Sequence, residues 1–323
     1  MKDLQELGLV NIFLNPAPAY FTANGIKYER TDRKGTDEHF FSEISINDTN
    51  LPLCDSQNDG LIKNNEILPK SKNFQLSKQD PEFARVFKHK RILLLDGDST
   101  TRIIHKVFRE KLSNICQQYT NSSLVLEGST TFFESMRHCK GPEAWTLPSK
   151  LTCLGLNITL IMTTHAGPPL SNSNCGLAIS GGFLIKSLQN LISGDGSTSH
   201  VVFGPAYHYN SENLDVFARE WYGILEESSK VKLEKPKTTF YAKLPHWWAQ
   251  VSLNARLQTP YVNYKMIKVV KKLLHDSFFE FFDPWNQLVA RNKIQSDDVH
   301  PLHKEEALFV DLFIDKLLSN FEE

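Results

Sequence analysis

The chain of 323 residues has no apolar run of membrane-spanning length and almost no net charge, with 36 basic residues against 37 acidic ones. The first absence leaves no candidate transmembrane helix. The second leaves no field with which to attract nucleic acid or an anionic membrane surface. Five cysteines, Cys54, Cys116, Cys139, Cys153 and Cys175, include no C-x-x-C pair, which argues against a zinc site or a thioredoxin-like motif. Four can pair and leave one over, but sequence does not fix the connectivity. No G-x-S-x-G nucleophile elbow occurs. The first residues set Asp3 and Glu6 ahead of a broken apolar run, so no signal peptide is read. The expectation is an intracellular protein, or a chain that starts downstream of its targeting segment.

What is present is enough for a sizeable core, since 41% of residues are hydrophobic, and the length suits a main domain with an appendage. Residues 1–85 read as an irregular extension, punctuated by Pro16, Pro18, Asn24-Gly25, Pro52, Asp59-Gly60 and Pro69, with one candidate strand at 40–46. Residues 86–323 read as the main domain. There, strands are expected at 91–96, 123–127, 157–164, 200–204 and 237–242, and helices after Ser99 and at 177–192, 213–225, 261–274 and 302–321. Strands and helices alternate throughout. That pattern predicts a doubly wound α/β sandwich with a mostly parallel sheet, whose functional residues collect at the carboxyl ends of the strands.

Chemistry concentrates where the apolar run Ile92 to Leu95 stops at Gly97-Asp98-Ser99 and a helical pattern of Ile103, Ile104, Val107, Phe108 and Leu112 begins. A residue between a strand and a helix is most often simply an N-cap. Ser99, however, sits where first-turn N–H groups are unpaired and the helix dipole favours negative charge. A hydroxyl there can attack an ester, and the same N–H groups can hold the resulting oxyanion. A partner occurs late in the chain, where Asp297-x-x-His300 puts a carboxylate and an imidazole on one short segment. A competing reading takes Asp96-Gly-Asp98-Ser-Thr100 as the D-x-D-x-T pattern of magnesium-dependent phosphatases, with Asp96 as nucleophile. It assigns no role to His300, and the polar stretch before Asp297-Asp298 lacks the apolar strand such a late acidic pair follows.

A serine early and Asp-x-x-His late is the layout of the SGNH, or GDSL, esterases. More specifically, residues 79–92 leading into Gly97-Asp-Ser-Thr-Thr-Arg102 resemble the C-terminal PC-esterase domain of the NXPE family (neurexophilin and PC-esterase domain). The same holds for residues 201–209 with Leu214-Asp-Val-Phe217, for Asp297-Asp-Val-His-Pro301, and for Leu51-Pro-Leu-Cys54 ahead of the domain. The resemblance implies an SGNH-like fold and acyl transfer at oxygen. The wider PC-esterase clan contains O-acetyltransferases and acetylesterases of cell-wall polysaccharides and sialic acids.

By the resemblance Ser99 is the nucleophile, His300 the base and Asp297 its orienter, with no metal. Gly97, Asp98, Arg102 and His208 are oxyanion or substrate-binding candidates. Ala206 stands where a glycine is expected, and Gly128 and Gly167 both qualify as the second oxyanion glycine. The implied substrate is a carbohydrate or glycoconjugate. No bound cofactor is implied beyond an acyl donor such as acetyl-CoA or an acetylated substrate, and the implied compartment is the secretory lumen or the exterior, with the cytoplasm as alternative. A binding module that keeps the fold without turnover is the rival from another class. Asn47, Asn121 and Asn157 begin glycosylation triplets, with Asn157 in an expected strand and so least suited. His246-Trp247-Trp248, His165, His303 and the Lys265, Lys268, Lys271, Lys272 group are discounted as packing, turn or solvated residues.

Overall fold

The computed structural model describes residues 9, 20–23, 26–30, 41–43, 60–63, 66–69, 91–116, 118–123, 149–154, 158–165, 192, 198–206, 209, 214–245, 260–283 and 313. Upstream of the main sheet, β1 (Tyr20–Ala23), β2 (Ile26–Arg30) and β3 (Phe41–Glu43) form an antiparallel sheet, and β4 (Gly60–Lys63) pairs with β5 (Glu66–Pro69). The first 85 residues are therefore not irregular throughout. Ala23 lies opposite Ile26, and the two residues between them are Asn24-Gly25, the pair that two-residue hairpin connections favour. Of these strands only β3 falls in a stretch the sequence marks, 40–46, because strands this short carry little periodicity.

The main sheet contains β6 (Arg91–Gly97), β7 (Tyr119–Ser123), β8 (Ser149–Cys153), β9 (Ile158–Thr164), β10 (Thr198–Gly204), β11 (Thr239–Lys243) and β12 (Phe279–Phe282) in the order β12-β11-β10-β6-β9-β8-β7. The five strands from β12 to β9 run parallel, while β8 is antiparallel to both β9 and β7. β7 takes Asn121 into the sheet edge opposite Leu151, and of the strand expected at 123–127 only Ser123 is among the described residues. β8 has too few apolar residues to announce itself.

Helix α1 (Ser99–Ile115) packs on one face of the sheet, its Ile103, Ile104, Val107, Phe108 and Leu112 against Leu93, Leu95, Leu160 and Met162. Helices α2 (Leu214–Glu234) and α3 (Pro260–Leu273) cover the other face, against Ile92, Leu94, Ile161, Val201 and Phe203. Alternate residues of β6 thus feed two cores, which is why its sequence is apolar without alternation. Leu9, far upstream, is fully buried in the core on the α2 and α3 face. Helix α2 runs nine residues past the expected end at Leu225, because its inward stripe continues through buried Ser228 and Val231, and a serine does not register as apolar. The expected helices at 177–192 and 302–321 fall almost wholly outside the described residues, where only Ile192 and Phe313 are seen, both buried. Among the described residues, no helix is long and apolar enough to cross a membrane.

Candidate active site

The first strand of the parallel set, β6, lies between β9 and β10, so the chain winds to one side and then the other. In open α/β sheets this reversal leaves a crevice outside the carboxyl ends of the strands, between β6 and β10 here. Ser99 stands at that point. Gly97 is level with Gly204 of β10 and with Thr164 of β9, and α1 starts two residues later.

The turn is fixed from several sides. Asp98 is the N-cap, with Oδ1 accepting from Thr100 N at 2.9 Å and Thr100 Oγ1 at 2.6 Å, and Oδ2 accepting from Ala206 N at 3.2 Å. Asp98, Thr100 and Thr101 are buried, whereas Ser99 is half-buried. Thr101 wedges between two strand ends. A Cβ at Gly97 would overlap its Oγ1 and come within 2.9 Å of the Gly204 carbonyl oxygen, while one at Gly204 would lie 2.7 Å from the same hydroxyl. Two glycines on neighbouring strands are thus needed to let the Gly-Asp-Ser turn sit down on the sheet.

Behind the turn lie two buried polar groups that sequence reasoning passed over. Lys243, the last residue of β11, is fully buried and donates through Nζ to Thr100 Oγ1 at 2.6 Å. Burial pulls its ammonium below the usual lysine range, with Asp98 acting in the opposite direction. A lysine closing an otherwise buried strand was the available signal. Arg102, half-buried, is likewise drawn down by burial and pushed up by Asp98.

The second group centres on His165, which was discounted as a turn residue and is in fact fully buried. Its backbone N–H donates to the Gly97 carbonyl at 2.8 Å. Its Nδ1 lies 3.0 Å from Asp96 Oδ2, and its Nε2 lies 3.3 Å from Glu220 Oε2 and 3.4 Å from Tyr209 Oη. Burial opposes charge on the imidazole, but Asp96 and Glu220 outweigh it and raise its pKa to about 9. Burial, then the carboxylates of Glu220, Asp96 and Asp98, push the Tyr209 phenol upward. Thr163 Oγ1 takes the other Asp96 oxygen at 2.8 Å. Asp96 is therefore 1% exposed with both oxygens engaged by protein donors, which is not how a phosphorylated nucleophile is presented. Asp98 is turned inward too. The D-x-D-x-T reading loses its first two residues to structural bonds.

Of the sequence-derived site residues, the structure brings Gly97, Asp98, Ser99 and Arg102 together in one turn. Asp297, His300 and His208 lie outside the described residues, as do Asp298, Gly128, Gly167, His246, Trp247, Trp248 and His303. Two described residues flank His208 in sequence. Ala206 N reaches Asp98, and Tyr209 N donates to the Ala206 carbonyl at 3.0 Å.

The family model described as NXPE family member 4-like, C-terminal domain, matches residues 70–317. Among solved structures, a chain from Parabacteroides merdae described as a GDSL-like lipase is similar at TM-score 0.40 and 12% identity, over 71% of this chain and 96% of that one. The lipase/acylhydrolase from Enterococcus faecalis gives 0.39 and 10%, over 72% and 96%. A peptidoglycan O-acetylesterase gives 0.38 and 10%, over 78% and 97%. No curated protein matches the chain.

Proposed function

This chain belongs to the NXPE family through its C-terminal domain, and on that premise we propose that it transfers or hydrolyses O-acyl groups, most simply O-acetyl, on glycan hydroxyls through an acyl-serine. The observation that carries the reading is Ser99 itself. It is the half-exposed residue of an otherwise buried turn, at the first position of α1 and beside the crevice between β6 and β10.

In this reading the Ser99 hydroxyl attacks the acyl carbonyl carbon and His300 takes its proton, while Asp297 orients the imidazole. The oxyanion is held by first-turn N–H groups, whose positive end of the helix dipole is already in place before charge develops. His300 then returns the proton to the departing group, the alcohol oxygen of an ester or the sulfur of a thioester, and water or a sugar hydroxyl takes the acyl group from Ser99. Arg102 and His208 are assigned to the oxyanion or the acyl carbonyl. Gly167 is preferred to Gly128 as the second oxyanion glycine. It follows His165 by two residues, and His165 is bonded to Gly97, whereas Gly128 follows β7, three strands from β6. The acyl donor is an acetylated substrate or a thioester such as acetyl-CoA. A secretory or extracellular setting is supported by the Cys116–Cys153 disulfide, since such bonds persist in oxidising compartments.

The test is labelling with a fluorophosphonate followed by peptide mapping. The expected result is one adduct on the peptide that contains Ser99, absent in Ser99→Ala. Turnover of acetyl esters by a Ser99→Ala variant at the wild-type rate would overturn the reading.

A further inference from the structure

We propose that Lys243 is a positioning residue for the nucleophile turn, clamping Thr100 and Asp98 from beneath so that Ser99 and the first-turn N–H groups hold their attack geometry. The proposal rests on the acyl-serine reading of Ser99. Three strand ends meet at this turn. β6 supplies Gly97, β10 supplies Gly204 and β11 supplies Lys243. The lysine side chain passes over Gly204, where a Cβ would lie 3.1 Å from its Cδ and 3.2 Å from its Cβ. It ends 2.6 Å from Thr100 Oγ1, which donates onward to Asp98 Oδ1 at 2.6 Å, while Asp98 Oδ2 holds Ala206 N. One buried ammonium is thus linked through two hydrogen bonds to the cap of α1 and to the segment leading to His208.

Stability alone does not call for a lysine here. An apolar side chain of similar length would fill the space, and replacing buried ions by apolar groups is often neutral or stabilising. What the ammonium adds is a hydrogen-bond donor to Thr100 Oγ1, which directs that hydroxyl's own proton to Asp98. Only the carboxylate can accept from Thr100 and Ala206 at once without offering a competing proton. The other charged or titratable groups around Asp98 are Arg102 on α1 and Tyr209 beyond β10, with Asp96, His165 and Glu220 of β6, the β9 terminus and α2 behind Tyr209. Among the described residues, none of these groups hydrogen bonds to Thr100, so the link from Lys243 is not duplicated.

The experiment compares wild type, Lys243→Met, Thr100→Val and Thr100→Ser, each checked by circular dichroism. The readouts are the rate of fluorophosphonate labelling at Ser99 and steady-state hydrolysis of 4-nitrophenyl acetate from pH 5 to 9. Lys243→Met is expected to lower kcat and labelling on the order of 10- to 100-fold, as small misplacements of reacting groups do, with KM changed by less than about threefold. Thr100→Val should follow it, and Thr100→Ser, which keeps the hydroxyl, should restore most of the rate. A folded Lys243→Met with wild-type labelling and wild-type kcat would overturn the proposal and leave the Ser99 reading intact. If Lys243→Met does not fold, equality of Thr100→Val and Thr100→Ser would overturn it instead. A wild type unlabelled at Ser99 would remove both.

Discussion

Ser99 and Asp98 adjoin in sequence and differ in everything the fold does with them. Asp98 is 1% exposed and spends its oxygens on Thr100 and Ala206, whereas Ser99 is half-buried at the first position of α1. Substitution should separate them by kind of effect. Ser99→Ala and His300→Ala are each expected to reduce turnover of an activated acetyl ester by roughly 10⁴-fold or more without loss of folding, as in other serine triads. Asp297→Asn should cost less, because the carboxylate orients while the other two make and break bonds. Asp298→Asn should leave turnover nearly intact. Steady-state rates on folded variants decide it, and a silent Asp297→Asn beside a damaging Asp298→Asn would reassign the orienting acid.

Between elements, the contact of α1 with β6 and β10 depends on side chains that are missing. Gly204→Ala pushes a methyl against Thr101 and Lys243, and overpacking of this kind costs about 1–3 kcal/mol, so its thermal midpoint should fall below wild type. The link from β6 and β9 to α2 is electrostatic instead. His165 is raised from 6.5 to about 9 in the fold, so the stability it contributes is complete below pH 6.5 and is lost as pH rises through 9. Thermal melts from pH 7 to pH 10 should show that decline in the wild type. His165→Gln should start lower, because Asp96 and Glu220 are left facing one another without a cation, and should lack that part of the pH dependence. A wild-type melting profile as flat as that of the variant would show that the imidazole is neutral in the fold.

For the molecule as a whole, the Cys116–Cys153 bridge ties the C-cap of α1 to the end of β8 across 37 residues of sequence. Closing a loop of that length is worth roughly 3–4 kcal/mol in the chain-entropy description. Cys116→Ser with Cys153→Ser, or reduction of the wild type, should therefore lower the urea midpoint. Ser99 labelling at low denaturant should persist, since the bridge anchors the far end of the helix from the nucleophile. A midpoint unmoved by reductant would mean that the thiols are free in solution.

The sequence by itself determined where β6, β9, β10 and β11 lie along the chain and where the Gly-Asp-Ser turn falls. An unbroken apolar strand, a Gly-Asp-Ser break and a helical period are local patterns, readable within a dozen residues. It also determined the family, because several short motifs recur in one order along the chain. What it did not determine is carried by contacts between residues far apart in sequence. His165 became a buried cation only when α2 brought Glu220 across to it. Lys243 became part of the turn only because β11 lies next but one to β6 in the sheet. Cys116 found Cys153 among four others through the meander of β7 and β8. Hydrophobic periodicity states which face of an element is buried and not which partner it meets. Polar pairing inside the core, which sets charge and position at the site, was therefore decided by tertiary structure alone.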